Sequence, residues 1–77
     1  MLNSPLQEEL YILESHLEGT TLVSLYLDPW KKVFVVMESS YSWPNFKILY
    51  SGTFAKFTEA VAVYSVKRDT LAYQENT

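Results

Sequence analysis

The chain has 77 residues, of which 48% are hydrophobic, 16% aromatic and 19% charged. This length allows one small domain, 1–77, and the composition is too apolar for a disordered tail. There is no cysteine, which excludes disulfides, thiolate zinc sites and cysteine nucleophiles. No apolar run approaches the ~20 residues of a membrane-spanning helix. We therefore expect a cytoplasmic protein without a membrane partner.

The net charge of −3 is unevenly distributed along the chain. Residues 1–28 contain five acidic and no basic residues, whereas residues 29–77 contain six basic and four acidic residues. A protein that binds DNA generically needs a basic face to contact phosphates. The acidic first third instead suits solubility or a basic protein partner.

The first element predicted by the pattern is a helix over 5–18. The stretch Ser4-Pro5-Leu6-Gln7 is typical of a helix start with a capping box, and Gly19 is a natural helix terminator. Leucines recur at helical spacing along one face: Leu6, Leu10, Leu13 and Leu17. A β-hairpin that turns at Glu18-Gly19 is the competing interpretation.

Three strands are predicted next, over 20–27, 32–38 and 46–51. A turn at Asp28-Pro29 separates the first two, because proline cannot donate to a ladder. A polar loop over 39–45 separates the second and third, and we predict one shared face for Phe46, Ile48 and Tyr50. Short connections imply an antiparallel meander.

A second helix is predicted to follow Gly52-Thr53 and to run to about Arg68, with an end at Tyr73 as the alternative. It carries an apolar stripe: Phe54, Phe57, Val61 and Tyr64, flanked by Ala60. The fold class is therefore α+β, with the order α-β-β-β-α. The middle strand is apolar on both faces, so either both sides of the sheet are covered or the bare side is an interface.

No sequence motif points to catalysis, a cofactor or a metal. With two glycines in the chain, phosphate-binding loops and nucleophile elbows are unsupported. His16 has only helix glutamates as potential co-ligands, which is a weak metal signal. We expect a non-enzymatic protein that needs no cofactor.

The candidate partner-binding residues are aromatic and acidic. Rigid aromatic rings are enriched at interface hot spots, which singles out Trp30 in the first turn together with Tyr41 and Trp43 in the polar loop. Folding of Trp43 back over the core is the alternative. The acidic candidates all lie on the predicted first helix: Glu8, Glu9, Glu14 and Glu18.

Residues 22–66 resemble the β-β-β-α DNA-binding domains of ethylene-response factors and integrase arm-binding domains. The likeness lies in Asp28-Pro29-Trp30-Lys31-Lys32 and in Gly52-Thr53-Phe54 with the later Glu59-Ala60 and Tyr64. It implies the topology alone, because the strands lack the arginines with which that family reads DNA. The predicted α-β-β-β-α order also resembles double-stranded-RNA-binding domains.

The sequence thus favours a small protein–protein interaction module that acts by surface contact, on itself or on a basic partner. One concrete version is an inhibitor or adaptor encoded by a phage or mobile element. The alternative is weak nucleic-acid binding through the sheet, with aromatic stacking and phosphate contacts from Lys31, Lys32 and Lys47. A third hypothesis, an enzyme built around His16 and the helix glutamates, requires a pocket.

Overall fold

A computed structural model describes residues 10–42 and 44–75 of the chain. The described elements are β1 (Tyr11–Glu18), β2 (Thr21–Asp28), β3 (Val33–Ser42), β4 (Asn45–Phe54) and α1 (Phe57–Glu75). The strands form one antiparallel sheet in the order β1-β2-β3-β4. The single described helix packs on one face of this sheet, which gives a two-layer α+β fold.

The prediction of an N-terminal helix over 5–18 is wrong for residues 10–18. Tyr11–Glu18 form strand β1, and Leu10 before it has no regular secondary structure. The hairpin considered as an alternative is the correct one: Glu18 pairs with Thr21, and Gly19 in the turn has φ 62°. A positive φ at the first residue of a two-residue loop is typical of a type II′ hairpin turn. The proposed capping box at 4–7 lies outside the described residues.

Over the described residues the sheet therefore has four strands where the sequence predicted three, and the element order is β-β-β-β-α. The predicted polar loop over 39–45 is largely strand, since β3 continues to Ser42 and β4 begins at Asn45. Gly52 and Thr53 also belong to β4, and α1 begins only at Phe57. The antiparallel pairing and the strand-like character of the middle of the chain are confirmed.

The core lies between α1 and one face of the two central strands. Val23 and Leu25 of β2 and Val36 of β3 are almost fully buried there, against Ala60 and Tyr64 of α1. Residues that pair across antiparallel strands share a face, so the printed register assigns every strand residue to the helix side or to the opposite side. We call the opposite side the distal face.

Both outer strands contain an irregularity in the ladder, at Leu13 in β1 and at Leu49 in β4. A β-bulge adds one residue and shifts the alternation of faces beyond it. Phe46 and Ile48 therefore lie on the distal face, while Tyr50 lies on the helix side. The prediction that these three residues share one face is wrong for this reason.

Polar and aromatic contacts add to the apolar packing of α1. The Lys67 ammonium lies 3.4 Å from the Glu38 carboxylate and 4.1 Å from the centroid of the Tyr50 ring. At the start of the helix, Phe57 meets Phe34 edge to face at 5.3 Å between centroids. These contacts, together with the buried residues, join α1 to both β3 and β4.

The turn between β2 and β3 is organised by the buried side chain of Asp28. Its Oδ1 accepts hydrogen bonds from the backbone N–H groups of Trp30 and Lys31, both at 3.1 Å. Its carbonyl oxygen accepts a third, from the N–H of Lys32 at 2.8 Å. Lys32 has φ 59°, a left-handed conformation that costs a non-glycine residue energy.

We expect Asp28→Ala to lower the free energy of unfolding by about 1–2 kcal/mol, because two turn N–H groups lose their acceptor. Asp28→Asn retains an acceptor oxygen at the same place and should cost less. Urea unfolding followed by circular dichroism measures both variants. Equal losses for the alanine and asparagine variants would show that the side-chain acceptor does not hold the turn.

Candidate interaction surface

The distal face is predominantly apolar. Its central members on β2 and β3 are partly buried by their neighbours, while those on the outer strands are largely exposed. The register assigns these apolar residues to it: Ile12, Leu17, Leu22, Tyr26, Val33, Val35, Met37, Tyr41, Phe46 and Ile48. Apolar surface of this extent on a monomer typically marks a contact site.

The distal face is nearly free of charge. Among residues 10–42 and 44–75, the register places one ionisable carboxylate or ammonium group on it, Asp28 at its end, and that carboxylate is bound within the turn. The remaining members are small polar residues: Ser15, Ser24, Ser39, Ser51 and Thr53. A partner would therefore meet neutral surface with few groups that are costly to desolvate.

The centre of the distal face has a knob surrounded by small side chains. Met37 on β3 pairs with Ser24 on β2 and with Ser51 on β4, and Ser39 follows it on the same side of its strand. Ser24 and Ser39 are both buried, so the larger side chains around them cover them. Methionine is flexible and adapts to irregular apolar contacts.

The aromatic candidates from the sequence lie in different places. Tyr41 lies at the end of the distal face, 4.9 Å between centroids from Phe46, and both side chains are exposed. Trp30 is exposed in the β2–β3 turn, at the opposite end of β3. Trp43 lies outside the described residues. The structure thus brings Tyr41 to the distal face, whereas Trp30 lies at the other end of the molecule.

The acidic candidates do not form a helix face. Glu8 and Glu9 lie outside the described residues, while Glu14 and Glu18 are on β1 and face the helix side of the sheet. Glu18 Oε1 lies 2.8 Å from His16 Nε2. These two carboxylates therefore lie on the side away from the apolar surface, and their role in binding a partner stays a prediction.

A groove of about 380 Å³ runs between α1 and β1. Its walls include Leu13 and Val61, and its polar groups include Glu14, Tyr64 and Arg68. Burial, reinforced by the nearby Glu14 carboxylate and opposed by Arg68, raises the pKa of the Tyr64 phenol. The phenol therefore remains a neutral donor at physiological pH, and the groove is a secondary candidate site.

Four residues of the distal face were wrongly assigned by the sequence analysis: Ile12, Leu17, Phe46 and Ile48. The first two were assigned to a helix, and the last two were grouped with Tyr50 because a bulge is not visible in simple alternation. The available signal was the two-sided apolar pattern of the middle strand, 33–37. It correctly anticipated a sheet with two apolar faces.

The lysines proposed for phosphate contact are separated. Lys31 and Lys32 lie in the β2–β3 turn. Lys47 lies on β4, where it pairs with Ser40 near the opposite end of β3 and faces the helix side. Within the part of the chain that the structure describes, the register places no lysine or arginine on the distal face. The described aromatic surface and the basic residues thus do not coincide.

Within 10–42 and 44–75, no group of three or more histidine, aspartate or glutamate side chains is placed to hold a metal ion. Over the same residues, no helix is long and apolar enough to cross a bilayer. No protein-family model, no curated protein and no solved structure matches this chain.

Proposed function

We propose that this protein is a small protein–protein interaction module that acts by contact rather than by catalysis, and that its contact surface is the distal face. The observation that carries the proposal is the combination of a broad apolar surface with one bound carboxylate at its end. Leaving such a surface in water has a free-energy cost of about 25 cal/mol for each Å² of apolar area. A partner chain removes that cost.

The surface also has the features of an interface centre. The centres of interfaces are depleted in charge and enriched in aromatic residues and methionine, and the distal face presents Tyr26, Tyr41, Phe46 and Met37. Charged groups on the helix side, such as Glu38 and Lys67, already pair with each other. The narrower version, an inhibitor or adaptor from a phage or mobile element, stays a prediction, as does the family resemblance.

Site-specific photocrosslinking in producing cells tests this function. A photoreactive phenylalanine analogue replaces Phe46, which is 55% exposed on the distal face, or Phe57, which is 50% exposed at the start of α1. We expect protein adducts from position 46 and few from position 57. Both replacements exchange one aromatic ring for another, so they perturb the fold similarly.

Absence of protein adducts at position 46 would contradict the proposal. Adducts at position 57 alone would move the contact surface to the helix side, where Phe57 lines the groove beside β1. Adducts of position 46 with nucleic acid in place of protein would favour the alternative function.

A further inference from the structure

We infer that the occupant of the distal face is a second copy of this chain, in a dimer whose two-fold axis passes between Met37 and Ser39. The inference rests on the proposed function and deepens it by naming the partner. Three properties of the distal face support it: its relief, its charge and its area.

The relief expected from side-chain size at the centre of the face complements itself. On β3 the long Met37 side chain is followed, two residues further on the same side, by the small side chain of Ser39. The two positions are about 7 Å apart, because strand residues rise by about 3.3 Å each. A two-fold axis between them would place the Met37 side chain of each copy over the Ser39 position of the other, as an isologous interface requires.

The charge distribution permits two copies to meet on this face. The chain carries a net charge of −3, so random contacts between copies are repulsive. Of the described acidic groups of the sheet, Glu14, Glu18 and Glu38 lie on the helix side, and Asp28, at the end of the distal face, is bound in its turn. Contact between distal faces keeps the three glutamates on the outer surfaces of the dimer, where water screens them.

The area of the face meets the requirement for a specific dimer. Four strands of eight to ten residues cover roughly 19 Å by 30 Å, or about 550 Å², at usual strand spacings. Two such faces would bury on the order of 1,100 Å² in total, slightly above the ~1,000 Å² expected of a specific interface. Interfaces at this low end of the size range are typical of weak, reversible association, so we expect dimerisation that depends on concentration.

Sedimentation velocity of the full chain tests the inference. Between about 5 and about 500 µM, a range chosen to bracket a micromolar dissociation constant, we expect a shift from the 8.9 kDa monomer to twice that mass. Leu17→Glu should raise the dissociation constant roughly a hundredfold, because each dimer would bury the new charge twice. Met37→Lys should have a similar effect.

Val66→Glu is the matched control. Val66 is 64% exposed on the outer side of α1, while Leu17 is 63% exposed on the distal face, so both substitutions add one carboxylate at equal exposure. The control should leave the dissociation constant unchanged. Circular dichroism shows which variants keep the fold. If Met37→Lys unfolds the chain, Leu17→Glu, at the exposed edge of the sheet, remains as the test variant.

A monomer over the whole concentration range would overturn the inference, as would an equal effect of Val66→Glu and Leu17→Glu. Unfolding of the monomer by Leu17→Glu would indicate that the face is covered within one chain, which also overturns it. If position 46 crosslinks to a different protein while the chain sediments as a monomer, the inference fails and the proposed function stands. If position 46 gives no adduct, the proposed function fails.

Discussion

Leu25→Ala is expected to lower the free energy of unfolding by about 3 kcal/mol, within the range measured for leucine-to-alanine changes in cores. Leu25 is 1% exposed and lies on the central strand β2, between Glu14 on β1 and Val36 on β3. It also lines the floor of the groove beside α1. Removing its side chain leaves a cavity that the rigid sheet cannot close.

The loss is large for a chain of this size, since small domains are stable by only about 5 kcal/mol or somewhat more. Chemical denaturation followed by circular dichroism measures it, at a protein concentration low enough to keep the chain monomeric. Leu49→Ala is the matched control, because Leu49 is 48% exposed at the bulge of β4, and it should cost less than about 1 kcal/mol. Equal losses for the two variants would contradict the placement of the core between α1 and β2.

Gly52→Ala is expected to destabilise the protein by about 1–3 kcal/mol, the usual cost of overpacking. A Cβ at position 52 would lie 2.3 Å from the Tyr50 hydroxyl oxygen and 3.1 Å from the Phe54 ring. Both rings lean over the glycine on the helix side of β4. Tyr50 is held in place by the Lys67 ammonium above its ring, so it cannot yield without loss of that contact.

A double-mutant cycle with Tyr50→Ala tests the cause of this effect. If the clash with Tyr50 is responsible, Gly52→Ala should be nearly neutral once the ring has been removed. Thr53→Ala, at the exposed neighbouring position, controls for a general effect on β4. A loss that persists in the Tyr50→Ala background would show that the strand backbone, not the ring, requires glycine.

The main error of the sequence analysis arose at Gly19. A glycine with positive φ ends a helix and equally begins a type II′ hairpin turn, so this residue could not decide between the two structures. The leucine spacing then favoured the helix. Tertiary pairing with β2 decides for the strand, since Leu17 pairs with Leu22 and His16 with Val23, and local sequence carries no information about such partners.

The middle of the chain was easier to predict because its signals agree. Val23, Leu25 and Leu27 alternate strictly, and their strand has no bulge in its pairing with β3. Proline after Asp28 marks the turn, and the Asp28 side chain caps it. The predicted helical stripe is confirmed in its second half: Tyr64 is buried, as is the flanking Ala60, and Val61 packs against the core. Phe54 instead belongs to β4, and Phe57 is half exposed.

The candidate site was predictable as a property of the sheet but not residue by residue. The two apolar sides of 33–37 indicated an apolar face without a helix on it, given that residues 10–42 and 44–75 contain one helix to cover the sheet. Trp30, Tyr41 and Trp43 were selected by residue type, and of the two that the structure describes only Tyr41 lies on that face. The bulge at Leu49 displaced Phe46 and Ile48 from simple alternation, and Ile12 and Leu17 were missed because their strand was predicted as a helix.

Those two bulges have a further consequence. Fibril growth by strand addition requires regular edge strands, whose unpaired backbone groups can pair with identical strands of further chains. Here the ladder of each outer strand is interrupted, at Leu13 near the start of β1 and at Leu49 near the middle of β4, so an incoming strand would find only short stretches of regular backbone. The addition of further chains at the sheet edges is thereby discouraged. A protein with a large exposed apolar surface can therefore avoid polymerisation.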